Sequence, residues 1–413
     1  MKIYVGSIGE PLTKKKQSGS ISGHGEGIYT LSWDGKQLHK QFTTYANQAS
    51  VIYISRNKNY LYAVNEVRNF TGLNGSGGGI SAYAIQKDHT LHFLNASISY
   101  GSRPAFISES ENGKYLLVAN HGSHSSVTCH YVQNDKQEWI LQRDFDDSSI
   151  AVFEKHDDGT IGNLIDLMQF KGHGYWCHGG GQSTSHLHSI KVRGNLIFAC
   201  NRGTDEIEVL RLNEQTGKLT LLQKNHTQIA YAPRYFTFHP KENILYVLFE
   251  NYPALAIYKY KEDGTLIHLQ TCKTMPEDYY NAFPLPHYTK QEADINETNT
   301  CSMANPNRAM PSDIHISTNG HFLYVSNRRF ASFGTIMTYK ILDASHIQPL
   351  STLCLNGKDP RGFMISQDNQ YMFVGLLDKD IIEVYKLMDG IPSAKIDELT
   401  ISSPSCFLEY IHF

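Results

Sequence analysis

The chain of 413 residues lacks several things, and each absence removes a class of function. It has no surplus of charge: 37 Lys and Arg stand against 40 Asp and Glu. That balance leaves no electrostatic footprint for nucleic acid or for an anionic membrane surface. No run approaches the ~18 consecutive apolar residues of a membrane-spanning helix. The opening MKIYVGSIGE has no apolar core of a secretory leader. Cys129, Cys177, Cys200, Cys272, Cys301, Cys354 and Cys406 are odd in number and have no CxxC spacing. Scattered, reduced thiols of this kind suit a cytoplasmic protein. No G-x-S-x-G elbow is present for a serine nucleophile. The run GLNGSGGG (72–79) opens no helix and reads as a hairpin loop rather than a phosphate cradle. His173, His178, His186 and His188 cluster with no carboxylate among them, so no metal and no cofactor are expected.

What the chain has is a repeated phrase, a hydrophobic strand ending in most copies in Asn and a charged or His residue. It reads LYAVNE (61–66), LLVANH (116–121), IFACNR (197–202), LYVLFE (245–250), FLYVSNR (322–328) and MFVGLL (372–377), with IYVGSI (3–8) as a seventh copy. Further strands flank each copy. ASVIYIS (49–55), RPAFISES (103–110), HLHSIKV (186–192) and RYFTFHP (234–240) precede; GISAYAI (79–85), SVTCHYV (126–132), EIEVLRL (206–212) and TIMTYKI (335–341) follow. GKLTLLQ (217–223) and GTLIHLQ (264–270) read as fourth strands. Alternating, β-branched runs bounded by NG, DG and GK turns are antiparallel strand signals. Four strands in each of seven units predict an all-β fold, a seven-bladed β-propeller. The first copy lacks its leading strand, and SPSCFLEYIHF (403–413) supplies it, so the two termini are expected to close the ring in one blade. The expected organisation is one propeller domain over 1–413, with long loop insertions near 137–183 and 272–310.

This fold places a site. Consecutive strands of a blade run antiparallel, so the head of the first and the end of the second share one end of the channel. Thirteen residues before the third letter of each phrase stand His186, Arg234, Ser312 and Arg361, with Arg103 close by. The phrase ends contribute Glu66, His121, Arg202, Glu250 and Arg328, and His188 faces the same side as His186. Guanidiniums grip carboxylate or phosphate through paired hydrogen bonds, and His and Glu beside them can move protons. A small anionic substrate is the expected partner, bound by a monomer or weak homo-oligomer. For Arg202 and Glu66 the plainer alternative is a salt bridge between neighbouring blades.

The phrases YVGSI (4–8), YLYAVNEV (60–67), RPAFISESENGKYLLVAN (103–120), SHLHSIKV (185–192), APRYFTFHP (232–240) and FLYVSNR, in that order, resemble the lactonase family of seven-bladed propellers. That family includes 6-phosphogluconolactonases and 3-carboxy-cis,cis-muconate lactonizing enzymes. The resemblance implies metal-free acid–base catalysis by His186, Arg234, Glu250 and Arg328. The remaining ring residues, His188, Arg361, Arg103, Glu66, His121 and Arg202, would bind substrate. It implies hydrolysis of a sugar lactone, foremost 6-phosphoglucono-1,5-lactone. A lactonizing isomerase acting on a carboxymuconate-type diacid is the first alternative, and a propeller that only binds partners the second. Three departures stand out: Phe249 replaces Asn before Glu250, STSHLH precedes the strand of blade four, and GLL ends the last phrase.

Overall fold

The computed structural model describes residues 1–9, 23–73, 75–123, 128–175, 181–282, 308–329 and 332–411. Their strands form seven four-stranded antiparallel sheets and one two-stranded hairpin. Blade one is closed by both ends of the chain: Pro404–Tyr410 pairs with Lys2–Ser7, which pairs with Gly27–Trp33. The first strands of successive blades contact one another in a closed cycle around the axis. The structure is therefore a seven-bladed propeller with its ring closed as the termini require.

The second strands are apolar because both faces of a blade are covered. Leu196–Asn201 and Ile244–Phe249 are buried at every position. A short continuous apolar run is the sequence form of such a strand. One apolar cluster lies at each of the seven blade junctions. Leu117, Val152, Ile190 and Leu210 join blades three and four; Phe198, Val209, Phe236 and Val247 join four and five. Trp33, Phe373 and Phe407 fill the junction at which the ring closes. No helix among the described residues is long and apolar enough to cross a membrane.

Two expectations about the insertions need correction. SVTCHYV is not the third strand of blade three: Thr128–Gln133 pairs only with Trp139–Asp144, as a separate hairpin. The third and fourth strands are Ser148–Lys155 and Ile161–Phe170, inside the stretch 137–183 read as a loop. Both runs carry a pleated pattern, and only burial separates them. Ser148 to Phe153 are buried throughout, whereas Tyr131, Trp139 and Leu141 of the hairpin are exposed. The inserted segment thus falls between the second and third strands of the blade, earlier than expected. The 272–310 insertion begins after Lys273 and includes a short helix, Glu277–Ala282. Its residues 283–307 lie outside the described residues, as do His178 and the first two residues, 126 and 127, of SVTCHYV.

Candidate active site

One backbone device repeats at the head of the first strand in blades three to seven. The ladder shifts register between Pro104 and Phe106, Leu187 and Ser189, Pro233 and Tyr235, Pro311 and Asp313, and Pro360 and Gly362. Each shift inserts one extra residue: Ala105, His188, Arg234, Ser312 and Arg361. A bulge re-aims the side chain that it carries. The preceding proline, present in four of the five, has no N–H to continue the ladder.

These ladders correct the equivalence inferred from spacing: His188, not His186, occupies the position of Arg234. Blade four turns from its first to its second strand through Gly194 and Asn195, since Arg193 pairs with Leu196. Blade five uses the four residues Pro240 to Asn243, closed by the His239 N–H to Ile244 carbonyl bond. The two missing residues displaced the count by two. His186 instead matches Arg103, and their carbonyls accept the N–H groups of Arg202 and His121 respectively.

Glu250 is the hub. Its Oε2 lies 2.7 Å from Arg202 Nε; its Oε1 lies 2.5 Å from Arg328 Nη2 and 3.6 Å from Arg234 Nε. Blades four, five and six each send one guanidinium to this carboxylate. Glu250 is 7 % exposed and Arg234 1 %. Burial alone would raise the Glu250 carboxyl, yet Arg202, Arg328 and Arg234 together hold it well below the usual range. Burial lowers Arg234 to about 10, so it stays cationic at neutral pH. For Arg328, burial acts downward, but Glu250 and then Asp359 outweigh it and the net shift is upward. The guanidiniums are fixed on their other sides: Arg234 donates through Nη1 to the Ser312 carbonyl and lies 4.3 Å from the Tyr235 ring centroid; Arg328 Nε donates to Met310 O at 3.1 Å.

Three imidazoles stand beside this hub. His121 and His186 stack with centroids 4.4 Å apart, and His188 meets His121 edge-on at 5.4 Å and Tyr235 at 5.2 Å. His186 Nδ1 is 3.0 Å from the His121 carbonyl and His121 Nδ1 is 3.0 Å from the Gly122 carbonyl. A carbonyl only accepts, so each ring carries a proton on Nδ1. Burial, then the charge of Arg202, pushes His186 down to about 3. Burial, then Arg234, lowers His188 well below its ordinary value. Both are neutral at physiological pH, and His188 Nδ1 is buried without a hydrogen-bond partner.

The remaining candidates border the same mouth. Arg103 Nη2 is 3.8 Å from Glu66 Oε1, and Arg361 acts electrostatically on Arg103, Arg234 and His188 alike. The ten charged and imidazole residues singled out in the sequence therefore gather at one end of the channel, and Ser312 joins them through the bond its carbonyl accepts from Arg234. Glu66 and Arg202 do form the bridges between neighbouring blades weighed for them, Glu66 to blade three through Arg103 and Arg202 to blade five through Glu250. Tyr235 and Arg68 were not foreseen. Tyr235 directly follows Arg234, but only the bulge brings both to the site; Arg68 lies in a loop with no repeat register to mark it. The recurrent Asn is structural: Asn65, Asn120, Asn201 and Asn327 are buried and bind their own blade and its entering loop, for instance Asn120 Nδ2 to Ser99 O at 2.8 Å.

Comparison with known proteins agrees with this architecture. Residues 2–408 match the family described as lactonase, 7-bladed beta-propeller. A 6-phosphogluconolactonase of Formosa agariphila is 25 % identical over 85 % of this chain and 85 % of its own. One of Bacillus subtilis is 22 % identical over 90 % and 88 %. Among solved structures, the periplasmic gluconolactonase of Pseudomonas aeruginosa superposes with a TM-score of 0.75 at 18 % identity, covering 99 % of both chains. A Lactobacillus plantarum protein gives 0.74 at 23 %, again covering 99 % of both. With the whole ring matched from its first strand to its closing strand, the chain belongs to the lactonase family of seven-bladed β-propellers.

Proposed function

We propose that this protein hydrolyses a sugar lactone, and that its substrate is 6-phosphoglucono-1,5-lactone. The observation that carries the reading is the convergence of Arg202, Arg234 and Arg328 on Glu250 beside neutral imidazoles. Three guanidiniums around Glu250, with Asp359 acting on Arg328, keep this buried cluster cationic, suited to a carbonyl oxygen that becomes an oxyanion. Glu250, held strongly acidic, is a weak proton acceptor; its role is to order the guanidiniums before substrate arrives. His188, at the bulge beside Arg234, is the general base: burial weakens its basicity too, but its Nδ1 is not taken up by a guanidinium or any other hydrogen-bond partner and can draw the proton from the attacking water. The tetrahedral intermediate then collapses, the ring C–O bond breaks, and the protonated imidazole returns the proton to the departing ring oxygen. Names borne by the Formosa agariphila, Bacillus subtilis and Pseudomonas aeruginosa relatives support the lactone class. A diacid lactonizing reaction would use the same guanidiniums, and no observation favours it.

The test is hydrolysis of freshly generated 6-phosphoglucono-1,5-lactone, read as acid release. Wild type should exceed the spontaneous rate clearly, and Arg234→Ala, Glu250→Gln and His188→Gln should each lose roughly 10²-fold or more in kcat/KM. A folded wild type with no turnover above background sinks the reading.

A further inference from the structure

The mouth is not uniform. Its Glu250 side is balanced by close contacts of 2.5 and 2.7 Å. Its Arg103 side is not: the pair with Glu66 is long, at 3.8 Å. Arg103 is only 7 % exposed, and its Nε is buried with no hydrogen-bond partner. The nearby Arg68 also buries an unpartnered Nε. Arg361, half-buried at the bulge of blade seven, has no carboxylate within ion-pairing reach among the described residues. The acidic groups nearby are otherwise engaged. Asp146, whose Oδ1 accepts the Ser123 N–H at 2.7 Å, also acts on Arg103, but more weakly than Glu66 and more weakly than either Arg361 or Arg68; Asp359 acts on Arg328. Burial, only partly offset by Glu66, lowers the Arg103 pKa, with Arg361 and Arg68 lowering it further.

Arg103 is also rigidly presented. It adopts φ 53°, a left-handed conformation uncommon for a residue with a side chain. Its N–H donates to Val67 O and its carbonyl accepts from His121, so loops of two blades hold it. Ala232 and Ser403, at the same position of their blades, share this conformation, so the fold provides it; a buried arginine placed there without a closely matched acid is a poor solution for stability alone.

We propose that Arg103 and Arg361, with Arg68 behind them, form a phosphoryl-group subsite distinct from the guanidiniums ordered by Glu250. This assignment rests on the lactonase reading and deepens it, giving one end of the substrate to each half of the mouth. A phosphate monoester carries close to two negative charges at neutral pH and three acceptor oxygens, enough for two guanidinium forks. A neutral sugar would leave these cations uncompensated. The proximity of Arg361 to both Arg103 and Arg234 puts it between the two halves, where it orients one against the other.

The experiment compares 6-phosphoglucono-1,5-lactone with unphosphorylated glucono-1,5-lactone for wild type, Arg103→Gln and Arg361→Gln, together with calorimetric titration of sodium phosphate. Expected is a preference for the phosphorylated over the unphosphorylated lactone, read as the ratio of their kcat/KM values, that falls roughly 10²-fold in each variant, chiefly through KM of the phosphorylated lactone. Phosphate should bind wild type and fail to bind either variant. Equal losses on both lactones, or phosphate binding unchanged in both variants, would overturn the subsite. So would a wild type that turns over the two lactones equally well, an outcome that leaves the lactonase reading intact. Phosphate bound by wild type and not by the variants, with neither lactone hydrolysed, would keep the subsite and discard the reaction.

Discussion

A neutral imidazole buried beside Arg202 couples folding to pH through His186. Its ordinary value is 6.5 and its folded value about 3, with burial the main cause. Between those limits the unfolded chain takes up a proton that the folded chain refuses. The contribution is therefore fully present above pH 6.5 and declines as pH falls toward 3. At pH 5 the loss from this residue is about 2 kcal/mol. Urea unfolding at pH 7 and pH 5 checks it: His186→Asn should lose less stability than wild type on acidification, by about that amount. Parallel losses in the two proteins would mean that His186 is not held neutral. Much of the residue scale was legible in the sequence, because a repeat turns position into register: Glu66, His121, Arg202, Glu250 and Arg328 needed only the end of each phrase. The relation of His186 to His188 was not, since it depends on a hairpin two residues shorter in blade four. The place of Tyr235 depends on a bulge, which leaves no mark in composition or periodicity.

At the scale of elements, each phrase divides its labour between neighbours. In four blades the buried Asn ties the strand end to its surroundings, and the residue after it faces the mouth. Blade five shows that the tie is replaceable: Phe249 joins the apolar junction, 5.2 Å from the Tyr231 ring, and Glu250 still reaches the site. That departure, worrying in the sequence, leaves the hub intact. The inner strands tolerate less. Gly362 follows the Arg361 bulge, and a Cβ there would lie 2.2 Å from the backbone oxygen of Ser405 in the closing strand of blade one. No side-chain rotation relieves a clash with backbone, so strands must separate. Gly362→Ala should cost about 1–3 kcal/mol of stability and, by shifting Arg361, raise KM more than it lowers kcat. Urea unfolding beside steady-state kinetics measures both; an unchanged midpoint would show that the inner ring yields more readily than its spacing implies. Sequence pattern identified these strands well where burial is complete. It failed at the Thr128–Asp144 hairpin, because alternation reports a pleated strand without reporting which sheet accepts it.

The whole molecule depends on a contact between its two ends. Lys2–Ser7 hydrogen-bonds to Pro404–Tyr410, and Ser405 Oγ donates to the carbonyls of Gly6 and Ser50 at 3.1 and 2.9 Å. Phe407 is buried with Trp33 and Phe373 at the junction of blades seven and one. The closing strand thus covers an edge, completes an apolar cluster and joins three blades, since Ser50 precedes the first strand of blade two. Removing residues 404–413 would expose the Lys2–Ser7 edge, a template for pairing with another chain. It would also leave blades seven and two facing an incomplete blade one. In a stack of repeats, each unit is stabilised mainly by its neighbours; a ring cut at one blade has two weak ends instead of none. The site should suffer as well, because Gly362 packs on Ser405 and Arg361 is carried on that strand. A chain ending at Ser403 is expected to melt at lower temperature over a broader transition, and to elute partly as oligomers. Adding a synthetic peptide of residues 403–413 should restore the elution of the full chain and sharpen the melt. A truncated protein that elutes as the full chain does and melts as sharply would mean that the seven junctions, and not the closure, carry the cooperativity.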